Sequence, residues 1–537
     1  MDDRGRGPFR DIFPPALSRK DIFFLAFVTA FIFLQVFVLP FTPIYFEGDQ
    51  LLPVTNAMRI LDGEVMYRDF FHFAPPGTEL YYSALFSLLG AKVWVVNATI
   101  VLLGLAQLAL VFAFSRKTLA GAYCYLPAFI YFVIGFRLFG IDGSYRLFSV
   151  VFVLSAVLVV AYRRETKALI VAGILCGIAS FFVQTRGLLG IGAIGLFLLW
   201  LHWNQGVNAA KLFRDWLIAG SAFLITVVLT QFYFAWNAGF DNYFFANVIF
   251  LKDYYGSDTL SNTAAYFTDI PSLNSYINTY GTAGGIFRFI RVSAPTLFFY
   301  ALVPLVYLVC FIYRKLRKVP PETDRDLVLL SILGSVLFFG ASAPTAFRLY
   351  HISIPAVVIA VWLLSRLAKR EGVARALVAA LLVLGGAYSW QRQTATNAQV
   401  KLPAGRVAFL APATAEKYKW LAAHLAPGEY VYEAQHPTFY FPLHLKNPTP
   451  FYLVRDNNYT PSFQVEQLME SLRSNPPRFI IWQGSWSKPE EERKTGDNLA
   501  PLWEFILSNY QLKKEFRETG EFTVNSERDI EFWERKE

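Results

Sequence analysis

The chain has 537 residues, of which 55% are hydrophobic and only 17% charged, with 52 Phe and 28 Tyr. An ordinary soluble domain carries about 25% charged residues. A mean hydropathy of +0.38 therefore excludes a string of soluble domains, and with it disorder, collagen and a disulfide scaffold.

A membrane helix needs roughly 20 mostly apolar residues. Eleven stretches qualify in chain order: 21–40, 93–114, 119–136, 146–162, 168–183, 187–203, 216–236, 294–313, 327–343, 352–366 and 375–390. The first ends in Pro-Phe-Thr-Pro with no small-residue cleavage site, so it is expected to stay as a span. Cys124, Cys176 and Cys310 all fall inside apolar runs and are expected to be buried small hydrophobes. No zinc or disulfide spacing is present.

Residues 79–91 are ambiguous between a twelfth span and a helix at the membrane surface. Charge decides. If they do not cross, one side collects 21 basic residues against 11; if they cross, the count becomes 14 against 18. Basic loops face the cytoplasm. The expected protein is thus a multi-pass protein of the cell (inner) membrane with a cytoplasmic N-terminus. The loops 41–92, 137–145, 184–186, 237–293 and 344–351 and the C-terminal tail face the periplasm or exterior.

The net charge of +9 divides unevenly. Residues 1–396 hold 32 Lys and Arg against 21 Asp and Glu, whereas residues 397–537 hold 17 against 19. The basic excess belongs to span-orienting loops, which argues against nucleic acid as a partner. The expected division is a transmembrane domain, 1–396, and a soluble extracytoplasmic α/β domain, 397–537. Within the latter, Tyr430–Glu433, Phe451–Val454 and Arg478–Gln483 read as strands. Residues 462–475 and 500–515 read as helices, and Gly520–Val524 with Ile530–Arg535 as a strand hairpin.

The first outer loop, 41–92, concentrates the chemistry. It runs Phe46-Glu47-Gly48-Asp49-Gln50, a helical segment Leu51–Leu61, then Gly63-Glu64-Val65-Met66-Tyr67-Arg68-Asp69-Phe70-Phe71-His72-Phe73-Ala74-Pro75-Pro76-Gly77. An acid at headgroup height is partly desolvated, which raises its pKa and favours a base. Glu47 and Asp49 equally suit capping of the helix that follows. On the same face lie Asp142 in a Gly-Ile-Asp-Gly-Ser turn, Arg186 between two spans, and Arg348, Tyr350 and His351 in a short loop. Arg137 and Arg146 flank Asp142 and are expected as its partners. Each of these also has a plain reading, as a turn residue, a snorkelling cation or an aromatic-belt member.

The order Asp49, Arg59-Ile60-Leu61, Gly63-Glu64, Tyr67-Arg68-Asp69-Phe70, Pro75-Pro76-Gly77 and Leu85-Phe86 resembles the bacterial relatives of protein O-mannosyltransferases and of the lipid A aminoarabinose transferase. These are C-type glycosyltransferases that use polyprenyl-phosphate sugars. The resemblance covers about residues 40–92 in detail. It implies an α-helical polytopic membrane protein of the C-type glycosyltransferase fold, with about 11 transmembrane helices and an outer C-terminal α/β domain. It places the catalytic base on Asp49. The acid that often follows is Gln50 here, with Glu47 nearby, and the Lys that often precedes Pro-Pro is Ala74. Arg348 and its neighbours Tyr350 and His351, with Glu47, Arg68, His72, Asp142 and Arg186, complete the implied substrate site.

The implied activity is inverting transfer of a sugar from a polyprenyl-phosphate donor to a lipid, glycan or protein acceptor. No cofactor or metal is implied beyond that donor, although the sequence leaves a divalent metal open. The rivals are a polysaccharide polymerase or ligase and a non-catalytic glycolipid-binding or transport protein. A transporter would place charges inside its spans; here the span interiors are almost free of them.

Overall fold

The computed structural model describes residues 17–140, 142–206, 208–257, 272–341, 344–396, 398–455, 458–484, 498–517 and 529–537. Helices dominate up to Ala395, and strands appear beyond it. Each apolar stretch is helical: Arg19–Val36, Val93–Thr118, Gly121–Phe139, Tyr145–Tyr162, Thr166–Phe182, Gln184–Gln205, Ala209–Ala238, Thr282–Leu316, Pro321–Phe339, Ile354–Ala368 and Glu371–Ala395. By length and composition, seven of these are long and apolar enough to cross a membrane. The others are shorter or carry charge at one end. The three cysteines are buried.

Local chemistry sets the helix ends. Ser18 and Asp21 form a reciprocal capping box at the start of the first helix. Gly140, at φ +75°, ends the helix before the Asp142 turn. A π-helical segment, Ile130–Gly135, widens the helix Gly121–Phe139. Beside it, the Tyr350 hydroxyl donates to the Tyr131 carbonyl at 2.8 Å.

Of residues 79–91, those up to Leu89 lie in the helix Gly77–Leu89, which Gly90 ends. Its 13 residues rise only about 20 Å, short of a hydrocarbon core of about 30 Å. Instead it packs on Leu51–Leu61, so the first outer loop folds into two helices at the end of the bundle.

The C-terminal part is a layered α/β unit. Its four-stranded sheet runs Val431–Glu433, Phe479–Gln483, Ile530–Arg535, Tyr510–Phe516, with the first pair parallel and the others antiparallel. Alternate residues face opposite layers. Val431, Phe479, Ile481 and Phe532 join one core with the helix Pro412–His424. Tyr432, Ile480, Trp482 and Trp533 join the other, beneath Ser462–Ser474 and Ala500–Asn509.

Two expectations for this unit change. Phe451–Val454 is not a strand; the Pro450 carbonyl just before it accepts from Phe71, and the Phe451 carbonyl accepts from Thr449 and Asn447. The helix expected over 500–515 stops at Asn509, and Tyr510–Phe516 is the strand that pairs with Ile530–Arg535. Gly520–Val524 lies outside the described residues. The sequence reading also passed over the hairpin Ala398–Leu402/Gly405–Phe409 and the helix Pro412–His424.

Candidate active site

Asp49 sits just before the helix Leu51–Leu61 but does not cap it. The N-terminal residue of that helix makes no side-chain cap bond, and the backbone carbonyls of Gly48 and Asp49 accept from Leu51 and Leu52. The Asp49 carboxylate instead accepts from Arg146 at the start of Tyr145–Tyr162, while 37% of its side-chain surface stays open. The other guanidinium nitrogen of Arg146 is 3.9 Å from Asp142. Asp142 also accepts from the Ser144 hydroxyl at 2.7 Å and its amide at 3.2 Å. The guanidinium lies over the rings of Tyr145 and Phe347.

Two contacts clamp the Asp142 turn. The Gly143 amide donates to Gln50 Oε1 at 3.0 Å, and Tyr82 donates to the Gly143 carbonyl at 2.8 Å. A side chain at 143 would collide with the Tyr82 hydroxyl, so the close approach requires glycine. Gln50 also donates to the Phe46 carbonyl at 2.9 Å. A carboxylate accepts only, so it cannot make both bonds. Where the resemblance expects an acid, this site uses an amide to hold two loops together.

Beside the acids is a cavity of about 80 Å³, lined by Arg146, Arg186, Arg348, Tyr145, Tyr255 and Thr185. Arg186 donates to the Arg146 carbonyl at 2.7 Å and to Ser149 at 3.1 Å. Arg348 reaches the Tyr255 hydroxyl at 3.5 Å, and its amide is capped by Thr345. All three arginines line this one void, and Arg side chains match phosphate through forked hydrogen bonds. Ala74 is buried, and its carbonyl accepts from Tyr67.

The expectation of a raised Asp49 pKa is overturned. Burial pushes it up, but the charges of Arg146 and Arg348, joined by His436 in the acid range where that imidazole is protonated, outweigh burial and hold it well below the usual carboxylate range. For Asp142, burial wins over Arg146 and raises the pKa. His436, carried by the C-terminal unit, lies within electrostatic reach of Asp49. Burial lowers its pKa to about 4, so it is neutral near pH 7, and its Nε2 is buried without a hydrogen-bond partner.

The other expected residues disperse. Glu47 faces the outer unit, accepting from Tyr418 at 3.0 Å with Lys417 at 3.8 Å. Arg68 is exposed and pairs with Asp69 at 2.8 Å. His72 is buried against Glu79 at 3.0 Å and Tyr452 at 3.2 Å. Tyr350 stacks on Tyr131 and Phe139. His351 is fully buried against Phe347 and borders a small apolar void with Arg186. Arg137 turns away to Gln391 at 3.3 Å. Asp49, Asp142, Arg186 and Arg348 thus come together, and Arg146 joins them at the centre. The signal for Arg146 was present: a lone cation four residues after Asp142, opening an apolar helix. Tyr255 belongs to the aromatic-rich loop 237–293, whose rings could stack on a sugar, whereas nothing in the sequence pointed to His436.

No family model matches the chain, and no curated protein matches it. Solved structures do. ArnT from Cupriavidus metallidurans bound to undecaprenyl phosphate superposes with a TM-score of 0.56 at 12% identity, over 96% of this chain and 98% of that one. The chain has the ArnT fold. ArnT in the apo state aligns with a TM-score of 0.52 at 11% identity, over 95% and 97% of the two chains. The Archaeoglobus fulgidus oligosaccharyltransferase, in complex with Zn and sulfate, is more distant at a TM-score of 0.47 and 12% identity, over 85% and 67%. ArnT is an aminoarabinose transferase, so the architecture expected from the first outer loop is the one observed along nearly the whole chain. Among the described residues, no group of three or more His, Cys, Asp or Glu clusters as a metal site.

Proposed function

We propose that the chain is an integral membrane glycosyltransferase that moves a sugar from a polyprenyl-phosphate donor to an acceptor hydroxyl or amine. The convergence of Arg146, Arg186 and Arg348 on one cavity beside Asp49 carries this reading. The donor phosphate binds the arginines. As it draws Arg146 toward itself, the clamp on Asp49 loosens and the carboxylate becomes a stronger base. Asp49 then takes the acceptor proton as the acceptor attacks the anomeric carbon. The carbon–phosphate oxygen bond breaks, and polyprenyl phosphate leaves with its charge held by the arginines. One displacement inverts the anomeric carbon. The leaving group is already an anion of a strong acid and needs no protonation.

The fold shared with ArnT, seen with undecaprenyl phosphate, supports a lipid donor of this kind. We also propose that the N-terminus is cytoplasmic and that residues 397–537 form the extracytoplasmic unit over the site. An Asp49→Asn protein that folds, binds undecaprenyl phosphate and fails to transfer sugar is the expected outcome; wild-type turnover by that variant would overturn the assignment.

A further inference from the structure

A second site lies away from the acids. The ends of the helices Arg19–Val36 and Val93–Thr118 meet the hairpin Ala398–Leu402/Gly405–Phe409 around a groove of about 690 Å³, lined by Phe33, Phe37, Phe41, Trp94, Leu102 and Arg406. Its walls are apolar, and Phe41 and Leu102 keep 73% and 59% of their surface open. Two such helices facing hydrocarbon make this a place for an acyl chain. Trp94 sits at the helix end, where aromatic rings mark the boundary between hydrocarbon and headgroups.

The hairpin at the head of the groove is positively charged. Its register sets Lys401 directly opposite Arg406, and both are exposed. Among the described residues neither makes an ion pair. Like charges directly opposite in an antiparallel pair repel, and an anion between them removes that cost. The hairpin is held in place. Lys92 donates to the Pro403 carbonyl at 2.9 Å, and the Val93 amide to the Ala404 carbonyl at 3.0 Å. The groove and its cations are therefore fixed relative to one another.

We propose that this groove binds an anionic phospholipid, with one acyl chain along Phe33 and Leu102 and the phosphate between Lys401 and Arg406. The hairpin also bridges to the first outer loop, Ile44 with Ala408. A lipid seated here braces the segment that leads to Asp49. The site stands independently of sugar transfer.

Native mass spectrometry of the purified full chain, with phosphatidylglycerol, phosphatidylcholine of the same chains and undecaprenyl phosphate, tests it. Two cations at a lipid surface predict a preference for phosphatidylglycerol over phosphatidylcholine on the order of tenfold. Lys401→Gln with Arg406→Gln should abolish the preference without lowering the unfolding temperature, because both side chains are exposed and their mutual repulsion is removed. Ala98 also lines the groove, and Ala98→Trp, filling it, should reduce both phospholipids. Equal retention of the two phospholipids by the native chain, or a preference that survives the double substitution, overturns the proposal. So does displacement of phosphatidylglycerol by undecaprenyl phosphate in a manner that depends on Lys401 and Arg406, which would assign the groove to the donor.

Discussion

Arg146 holds Asp49 with one guanidinium nitrogen and stands 3.9 Å from Asp142 with the other. One cation thus serves two acids and shifts them unequally. Asp49 is held well below the usual carboxylate range, while burial leaves Asp142 above it. Acids pushed apart in this way divide their labour. In the proposed mechanism the open carboxylate, Asp49, serves as the base, and Asp142 helps to orient Arg146. Asp49→Asn should reduce transfer by about 10²–10⁴-fold, the usual range for losing a general base, and Asp142→Asn by roughly tenfold. Single-turnover rates of the two variants check this; the reverse order would make Asp142 the base.

The arginines should separate from the acids in kinetics. A charge-assisted hydrogen bond contributes about 1.5–3 kcal/mol. Arg348→Ala should therefore raise the donor KM about tenfold to a hundredfold and leave the acceptor KM unchanged. Arg186 also donates to the Arg146 carbonyl at 2.7 Å and to Ser149. Arg186→Ala should thus lower kcat as well as donor affinity. Equal effects of Arg348→Ala on both substrates would remove it from the phosphate site.

Much of this fold was legible because hydropathy is periodic and local. The helix Leu51–Leu61 has the limits expected of it, and the strand Phe479–Gln483 differs by one residue. The charge of the loops argued against a crossing by residues 79–91, and the helix Gly77–Leu89 is shorter than a span. The site was legible at Asp49 and Arg348, where the resemblance or the position of a loop pointed. Arg146 was legible as a flanking partner of Asp142, but its bond to Asp49 was hidden, because a cation opening a span looks like an interfacial anchor. His436 was hidden more deeply. It reaches Asp49 through the docking of a remote unit, by contacts such as Glu47 with Tyr418 and Phe71 with Pro450. Glu47, Arg68 and His72 were chosen for their nearness in sequence to Asp49, but the loop folds them outward or into its own core.

Gln50 offers a sharper test of the clamp. Its amide accepts from Gly143 and donates to the Phe46 carbonyl, with 3% of the residue exposed. Gln50→Glu keeps the first bond and sets a negative charge against a carbonyl oxygen. A lost buried bond of this sort costs about 1–3 kcal/mol. The variant should unfold at lower temperature and lose activity, although it restores the acid that the resemblance expects. A variant as stable and active as the parent would show that the clamp contributes nothing.

His436 should leave a signature in the pH dependence of stability. Its folded pKa is lowered to about 4 from an ordinary 6.5, chiefly by burial, with Arg455 adding to the shift and Asp49 opposing it. Between these values the unfolded chain binds a proton that the folded chain refuses, so stability falls as pH drops from about 6.5 toward 4. Asp49 acts in a different window. Its folded pKa lies below the ordinary 3.8, so its contribution is intact above that value and is lost only in stronger acid. His436→Gln removes the imidazole titration and keeps a polar side chain over the acids. Thermal unfolding of both proteins from pH 4.5 to 7 should give a steeper acid-side fall for the parent than for the variant. Parallel curves would mean that His436 is not held neutral by the fold.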